Sequence, residues 1–420
     1  MRNLIFIILL SPCLIKSQDI DLFNYNNTNR SVDISSNVLI ESDDISYEFI
    51  NTILFGGFIT DEMKTNWINN GDSYNGVMAS VNNSIRWSNY FKDRLLTFSI
   101  NDVSSLETRI PDDLLKLTLE GNFNHQNEIL NISNSFLRLN RYQQYKIEHL
   151  KNYKNDNLQN EIMINTGVSY IAGNINRSYI INSGSIYTHT DGSIIDLNYE
   201  YESIETNTSL FGTNGHGLSF DFGIICENPN NILSLNIIDI GYIQWNQNTK
   251  TNHLDSTFSF SGIELSNIDE IINFTDSLTS FYDEDINQHR RNNVRSFLPA
   301  KICFKYFKQI NLRALKELRT SIQLRWHPYK FNNRINLDLI RQGLKESGYT
   351  PKINIYTLLN IKYLNIMPGI STGGYNQDLN FNINISNRKE SITFGIYFIE
   401  SLFSKEKVSL GSNIRFSKRF

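Results

Sequence analysis

The feature that most constrains the fold is an alternation of apolar and polar side chains at the C-terminal end of the chain. The apolar members of this pattern are Ile392, Phe394, Ile396, Phe398, Val408, Leu410, Ile414, Phe416 and Phe420. A period of two is the period of a β-strand, and it turns one set of side chains toward an apolar medium and the other toward water. The charged stretch 404–406 separates the two runs and predicts a hairpin turn between them.

A chain that ends on such a strand, with an aromatic residue in last place, is typical of an outer-membrane β-barrel. We therefore predict that the last strand carries a barrel-closing signal. Its residues are Leu410, Ile414, Phe416 and Phe420. The alternative is the last hairpin of a soluble β-sandwich, because the strands of that fold alternate as well.

The N terminus favours the membrane alternative, because it reads as an export signal. Arg2 precedes an apolar run at 4–10, and the chain then becomes more polar up to Ser17. We predict a signal peptide over 1–17 that is cut near Ser17 and directs the chain to the cell outer membrane. Cys13 would suggest a lipid anchor, but the proline directly before it fits such a site poorly.

After this signal, no segment approaches the ~18 consecutive apolar residues that a membrane helix needs. The chain is then either soluble and secreted or a barrel, since a closed barrel satisfies every backbone group in lipid without helices. The formal net charge of −4 provides no global basic field and argues against nucleic acid as a partner. Cys226 and Cys303 read as isolated thiols rather than as a disulfide framework.

The repeated unit of the sequence is a strand of about ten residues followed by a polar connection. At about 25 to 30 residues per unit, we predict an all-β, transmembrane antiparallel β-barrel of about 14 strands, within a range of 12 to 16. The predicted barrel domain is 49–420, in which 49–59 is a first strand or a plug-like segment. The Asn-rich segment 18–48 is predicted to be a loosely ordered lead-in, and no shift in composition indicates a second domain.

One or two short helices are predicted at the barrel ends. Pro111 and the two aspartates after it open a helix that stops at Gly121. The segment 266–286 begins with a capping box and carries apolar residues at helical spacing, which predicts an amphipathic helix over a barrel mouth. The basic cluster at 289–295 follows it and is interpreted as a solvated loop that balances the acidic helix.

Other connections are read from polar and glycine-rich stretches. Asp191-Gly192 is the strongest hairpin signal, because both central residues of such a turn need a positive φ. Asn228-Pro229-Asn230 predicts a second reversal of the chain. Loops or turns are predicted at 146–159, 173–177 and 369–374, a short helix at 311–317, and either a strand or a helix at 335–344.

Three stretches carry a family resemblance. They are 217–263, which includes IDIGYIQW at Ile238–Trp245, then RIPDDLLKLTLEGN at Arg109–Asn122, and FLPAKI at Phe297–Ile302. The chain resembles an uncharacterised outer-membrane family of the Bacteroidota, domain of unknown function 5723, which is similar to long-chain fatty-acid transporter barrels. The resemblance implies a lumen that binds or passes a hydrophobic ligand. It implies no site residues, because the family has no established catalytic residues.

The sequence offers no clear constellation for catalysis, cofactor binding or metal binding. Gly212, Gly215 and Gly217 precede a strand rather than a helix, so they predict a hairpin turn and not a phosphate loop. His189 lies near Asp191, but no nucleophile elbow accompanies them. No two histidines stand at metal-ligand spacing with a matching carboxylate. We therefore predict no enzymatic activity, no cofactor and no metal.

The leading functional hypothesis is a monomeric outer-membrane barrel whose partners are outer-membrane lipid, the barrel-assembly machinery and, by the resemblance, a hydrophobic ligand. The second hypothesis is a non-transporting interaction scaffold of a surface or secretion machinery. The two differ in whether the 266–286 helix plugs the lumen or stands outside it. A third hypothesis, an outer-membrane lipid hydrolase, has no site constellation behind it.

Overall fold

The computed structural model describes residues 30–42, 45–70, 74–155, 160–192, 194–207, 212–260, 290–291, 294–310, 315–328, 337–361, 363–402 and 409–420. The strands are β1 (Arg30–Ser42), β2 (Tyr74–Phe91), β3 (Arg94–Pro111), β4 (Ile129–Asn131), β5 (Ser135–Asn155), β6 (Asn160–Thr188), β7 (Ile195–Glu205), β8 (Gly215–Asn228), β9 (Asn231–Trp245), β10 (Lys250–Phe260), β11 (Arg290–Arg291), β12 (Arg295–Phe297), β13 (Ala300–Gln309), β14 (Leu315–Trp326), β15 (Thr350–Ile361), β16 (Leu364–Gly374), β17 (Asn380–Asn387), β18 (Ile392–Tyr397) and β19 (Leu410–Arg419). The helices are α1 (Tyr47–Phe55), α2 (Asp61–Asn70), α3 (Asp112–Glu120) and α4 (Leu337–Glu346). Within these ranges, no helix combines the length and the apolar character required to cross a membrane.

Fourteen of the described strands form a closed antiparallel ring. Its members in order are β1, β2, β3, β5, β6, β8, β9 and then β13 to β19. The ring closes because β1 pairs with β2 on one side and with the last strand, β19, on the other. The prediction of an antiparallel barrel of about 14 strands is therefore confirmed.

Burial in the ring is the reverse of burial in a water-soluble protein. Along β3, Leu96, Phe98 and Ile100 point outward and are exposed, while the polar residues between them are buried. Along β19, Leu410 and Phe416 are 42% and 40% exposed, whereas Asn413 is buried. An apolar exterior around a polar interior is the pattern of a barrel in lipid, and it rules out the two-layer core of the sandwich alternative.

Phe398 is an exception to the predicted C-terminal alternation. It is 0% exposed, although the period of two predicts that it faces outward with Phe394. β18 ends at Tyr397, and Phe398 has a positive φ of 60°, so the chain turns there before the alternation reaches it. Its N–H donates to Asn382 Oδ1 at 3.2 Å, and its ring lies 4.9 Å from Lys352 Nζ. The outward prediction is therefore wrong for Phe398.

The two ends of the ring differ. Both chain termini of the ring lie at one end, where Phe420 N–H donates to the Arg30 carbonyl at 2.9 Å. Short turns such as 91–94 and 228–231 lie at this end, and the long connections, with all four described helices, lie at the other. In outer-membrane barrels short turns face the periplasm and long loops face outward. We call these the short-turn end and the long-connection end.

A second sheet rises from the long-connection end. The first half of β6 lies in the ring against β8, but residues 177–188 continue beyond it and pair with β7. β10 then pairs along the full length of β7. The 29 residues of β6 span roughly 95 Å at the rise of a strand, which is more than a bilayer requires. β6 thus belongs both to the barrel wall and to this outer sheet.

The first strand and the first helix of the described chain correct two predictions. Residues 30–42 are the first barrel strand rather than a loosely ordered lead-in, and their alternation is blurred because Leu39 lines the lumen. The predicted first strand or plug at 49–59 is instead helix α1, capped by Ser46, whose Oγ accepts from Phe49 N–H at 3.1 Å. Phe49 packs against Trp67 of α2, with ring centroids 4.6 Å apart, in a small apolar core beside the barrel end.

Three predicted loops are strand instead. Residues 146–155 belong to β5, because Lys146 points into the lumen rather than into solvent. Residues 173–177 belong to β6, where Gly173 makes room for Trp245: a Cβ at Gly173 would lie 2.7 Å from that ring. Residues 369–374 belong to β16.

The remaining local predictions have mixed outcomes. Helix α3 is confirmed, and 337–346 is a helix, which resolves the ambiguity at 335–344. The reversals at 191–192 and 228–230 are both hairpin connections. Residues 315–317 begin strand β14 rather than ending a helix, because they pair with β13 and β15. Residues 266–286 and 311–314 lie outside the described residues.

We expect the membrane-extracted protein to run differently on a gel before and after boiling. A closed ring of hydrogen-bonded strands remains compact in detergent until heat opens it. Electrophoresis of boiled and unboiled samples measures this. Identical mobility, together with recovery of the protein in a soluble fraction, would contradict the barrel.

We expect the substitution Phe420→Asp to block membrane assembly, because the terminal residue sits where β19 meets β1. The readout is the heat-modifiable fraction in isolated membranes. Phe123→Asp is the matched control, since Phe123 is 68% exposed against 65% for Phe420 but lies in a long connection. Equal assembly of the two variants would show that Phe420 does not belong to a closing signal.

Candidate functional site in the barrel lumen

The inward residues of the ring strands form the candidate site. They enclose a cavity of about 230 Å³ that is lined by residues of both halves of the chain. Most of its lining residues are polar, and they include the cations Lys301, Lys305 and Arg319 on the neighbouring strands β13 and β14, although carbon atoms provide more of the accessible wall than nitrogen and oxygen atoms do. Glu41 and Asp239 supply negative charge to the same cavity. The lumen is therefore a charged, hydrogen-bonding interior.

A charged cluster joins opposite walls toward the long-connection end. Glu107 of β3 is 0% exposed, and its carboxylate forms an ion pair with Arg325 of β14. His327 Nδ1 lies 3.2 Å from the other carboxylate oxygen of Glu107. Arg325 also reaches Met78 of β2 at 3.1 Å, and β2 stands across the ring from β14. We call Glu107, Arg325 and His327 the cross-lumen cluster.

A second ion pair joins distant strands near the same end of the lumen. Lys352 of β15 forms an ion pair with Glu41 of β1, which is almost fully buried. The backbone N–H of Tyr375 donates to Glu41 Oε2 at 3.5 Å, and the Tyr375 hydroxyl donates to the Ser347 carbonyl at 2.7 Å. The connection after β16 is thereby held across the barrel end, against the loop that follows α4.

A third charged group lies along one wall. Lys146 Nζ lies 2.5 Å from Asp221 Oδ2 and 3.2 Å from Asp239 Oδ1, and all three residues are buried. Gln144 donates to Asp239 Oδ1 at 2.6 Å, so this carboxylate has two partners. The strands β5, β8 and β9, which carry these residues, are held together on their inner face as well as by their backbones.

An apolar cluster packs on the same side of the lumen. Its residues are Tyr142, Ile171, Ile243, Trp245 and Leu298. Trp245 is nearly fully buried and donates from Nε1 to Ser296 Oγ at 2.8 Å. A Cβ at Gly215 would lie 2.9 Å from the Trp245 ring, so this member of the predicted glycine turn serves close packing within β8. The cluster fills inner space near the long-connection end.

The short-turn end is more open. A recess of about 450 Å³ there is lined by turn residues such as Asn228, Pro229 and Glu390. Arg319 lines both this recess and the inner cavity, and its Nη2 lies 2.6 Å from Glu317 Oε2. Arg319 therefore lies at the boundary between this recess and the inner cavity, and charged contacts cross the described part of the lumen nearer the long-connection end.

His189, which the sequence places near Asp191, contacts a different aspartate on β7. His189 Nε2 lies 2.8 Å from Asp196 Oδ2, and Ser259 Oγ donates to Asp196 Oδ1 at 2.6 Å. These two hydrogen bonds, the Ser259 bond foremost, hold the pKa of Asp196 below its ordinary value. The serine thus donates to the carboxylate and not to the histidine, so these three residues lack the serine–histidine contact of a catalytic triad.

Two other groups of residues have arrangements that the sequence did not predict. Arg290 and Arg291 of the predicted basic loop form β11, which pairs with β10. Glu200, Glu202 and His253, which no sequence pattern singled out, present their ligand atoms within 4.8 Å of one another on the outer sheet. The glutamates alternate on one strand, but the histidine comes from another strand, so only the strand register brings them together.

Sequence reasoning also missed the lumen charges. Their signal is present in part in the sequence, because Gln323 and Arg325 alternate with the apolar residues Ile322, Leu324 and Trp326 on β14. The partners of Arg325 lie on β2 and β3, far away in the chain. No local spacing predicts which distant strand provides the counter-charge.

The chain was compared with curated proteins and with solved structures. No curated protein matches the chain. Among solved structures it is similar to the translocator domain of the autotransporter NalP from Neisseria meningitidis, with a TM-score of 0.36, 8% identity, and 95% and 91% of the two chains covered. It is also similar to the ΔS2S3 mutant of the monoaromatic hydrocarbon channel TodX, with a TM-score of 0.45, 8% identity, and 94% and 92% covered.

The family of the chain follows from a match over nearly its whole length. A model of a family of unknown function matches residues 19–418. This range contains all the lumen residues described above and every ring strand except for Arg419, the last residue of β19. The protein therefore belongs to the family of unknown function DUF5723.

Proposed function

We propose that the protein is a non-transporting outer-membrane barrel that serves as an interaction scaffold. The observation that carries this proposal is the cross-lumen cluster, in which Arg325 of one wall reaches Glu107 and Met78 of the facing wall. A barrel that conducts solutes needs a continuous water-filled lumen. The resting lumen is instead crossed by side chains that bind one another, so the second of the sequence-based hypotheses is favoured over the first.

The energetics of buried charge support a persistent closure. Glu107 and Arg325 are both buried, and Lys352 and Glu41 form a second pair near the same end. Removing one member of such a buried pair leaves an uncompensated charge, which costs about 3–5 kcal/mol. The two pairs therefore hold the facing strands together near the long-connection end.

The chemistry of the lumen argues against a hydrophobic ligand as its natural content. A hydrocarbon chain offers no hydrogen bonds, so it would displace water from Lys301, Lys305 and Arg319 without replacing the lost interactions. The resemblance to fatty-acid transporter barrels, and the Bacteroidota source that goes with it, remain hypotheses.

The scaffold surface is proposed at the long-connection end. Large apolar side chains stand exposed there on or beside helices, among them Phe58 and Leu337, each 83% exposed, and Phe55. Exposed apolar groups of this size on a water-facing surface favour contact with another protein. A monomeric barrel in outer-membrane lipid, with these groups facing outward, suits a component of surface or secretion machinery.

The proposal includes how the chain reaches its place. A cleaved signal peptide at 1–17 exports it, and the barrel-assembly machinery inserts it with the help of the closing strand β19. No enzymatic activity is assigned, and the third hypothesis, a lipid hydrolase, gains no support from the Ser259–Asp196–His189 arrangement.

We expect the refolded wild-type protein to carry no steady ion current in planar bilayers, because the cross-lumen cluster joins opposite walls. The double substitution Glu107→Ala with Arg325→Ala removes both charges at once, so no uncompensated charge is left between them. The double variant should raise the current above the wild-type level.

The matched control for this experiment is Asp102→Asn with Arg141→Gln. These residues form an ion pair, at 3.2 Å between Arg141 Nη2 and Asp102 Oδ2, that is not part of the cross-lumen cluster although Asp102 lies on β3 like Glu107. The control should stay as silent as the wild type, and both variants should keep heat-modifiable mobility. A wild-type barrel that conducts as well as the double variant would overturn the proposal.

We expect no saturable binding of a long-chain fatty acid to the refolded protein, because the cross-lumen cluster and the Lys352–Glu41 pair cross the space that an extended acyl chain would have to enter. Displacement of a fluorescent fatty acid from the detergent-solubilised barrel measures it. Saturable binding that is weakened by Lys305→Glu, with unchanged binding in the Asp102→Asn control, would restore the hydrophobic-ligand hypothesis.

A further inference from the structure

The outer sheet carries a group of metal-binding side chains on one face. Glu200 and Glu202 alternate on β7 and therefore point to the same side. His253 of β10 stands directly opposite Glu202 in the strand register. The ligand atoms of these three residues all lie within 4.8 Å of one another. They form a mixed set of two carboxylates and one imidazole, held by strands rather than by a loop.

A β-bulge shapes the group from its other side. The pairing of β6 with β7 shifts between Ile181 and Ser183, which leaves Asn182 outside the ladder. Its amide nitrogen donates to Glu200 Oε1 at 3.3 Å and to Glu202 Oε1 at 3.1 Å. The two carboxylates are thereby turned toward each other. His253 Nδ1 lies 3.6 Å from Glu202 Oε1.

A third carboxylate stands beside the group. Asp255 lies directly opposite Glu200, and like charges in that relation destabilise a sheet. The next pairs of β7 with β10 on this face are Asn198 with Thr257 and Ile204 with Thr251, and β11 places Arg290 opposite Thr251. A bound dication would relieve the repulsion between Asp255 and the two glutamates.

We propose that Glu200, Glu202 and His253 bind a divalent transition-metal ion, with Zn²⁺ as the best match. Zinc takes carboxylate oxygen and imidazole nitrogen at about 2.0–2.2 Å and often combines three protein ligands with water. Tetrahedral bonds of that length place neighbouring ligand atoms about 3.3 Å apart, so the present spacing closes onto the ion by small side-chain rotations. The imidazole disfavours Ca²⁺ and Mg²⁺, which prefer oxygen ligands.

The bound ion would join β7 to β10 outside the membrane. These strands meet through their backbones, and the ion adds a side-chain link between Glu202 and His253 on the exposed face. The site lies on the sheet beyond the ring, so the ion reaches it from water without entering the lumen. This inference does not rest on the scaffold function and stands or falls separately from it.

Isothermal titration of the chelator-treated, refolded full chain with ZnCl₂ tests the proposal. We expect one Zn²⁺ per chain, and at least about tenfold weaker binding for each of His253→Ala and Glu200→Gln. CaCl₂ should give no comparable binding.

His125→Ala is the matched control, since His125 also stands beside two carboxylates, Glu120 and Glu128, but in a different connection. This variant should bind Zn²⁺ like the wild type. Unchanged binding in His253→Ala, a loss of binding in His125→Ala, or no saturable Zn²⁺ binding in a wild type that keeps heat-modifiable mobility would each overturn the proposal. Heat-modifiable mobility of all variants shows that a loss of binding is not a loss of fold.

Discussion

The closure of the ring by β1 and β19 is the constraint on which the rest of the structure depends. An edge strand in hydrocarbon would leave a row of backbone N–H and C=O groups without partners, and each costs several kcal/mol. β1 provides partners to β19 on one side and to β2 on the other, so the ring has no edge in the membrane. With the backbone satisfied, side chains alone decide what each face of the wall contacts, and the wall is apolar outside and polar inside.

The polar side chains inside the barrel take the place that an apolar core has in a soluble protein. Side chains must fill or cross the space inside the ring, and here charged residues do so. Ion pairs between guanidinium or ammonium groups and carboxylates are directional, so Arg325 with Glu107 and Lys352 with Glu41 select particular strands of the far wall. The cross-section of the barrel is therefore defined by these contacts as well as by the number of its strands.

The sequence predicted the class of the fold and the approximate strand number, because outward apolar residues alternate at a period that no helix shares. It failed where an inward position breaks the pattern: Leu39 faces the lumen, Lys146 meets buried carboxylates, and Gly173 makes room for Trp245 rather than for a turn. It also failed at Phe398, where a positive φ ends the alternation. The contacts between Arg325 and Glu107 and between Glu202 and His253 could not be predicted, since each depends on the register of strands distant in the chain.

The length of β6 has a mechanical consequence. One uninterrupted main chain forms part of the wall between β5 and β8 and then the base of the outer sheet. A force applied to the tip of that sheet is therefore transmitted to the barrel wall through β6. The pairing of β5 with β6 shifts its register at Arg141 and Tyr142, next to Gly173. β6 leaves the barrel wall at this point, so the strand would bend there. A displacement of the outer sheet would therefore act first on the contact between Trp245 and Gly173.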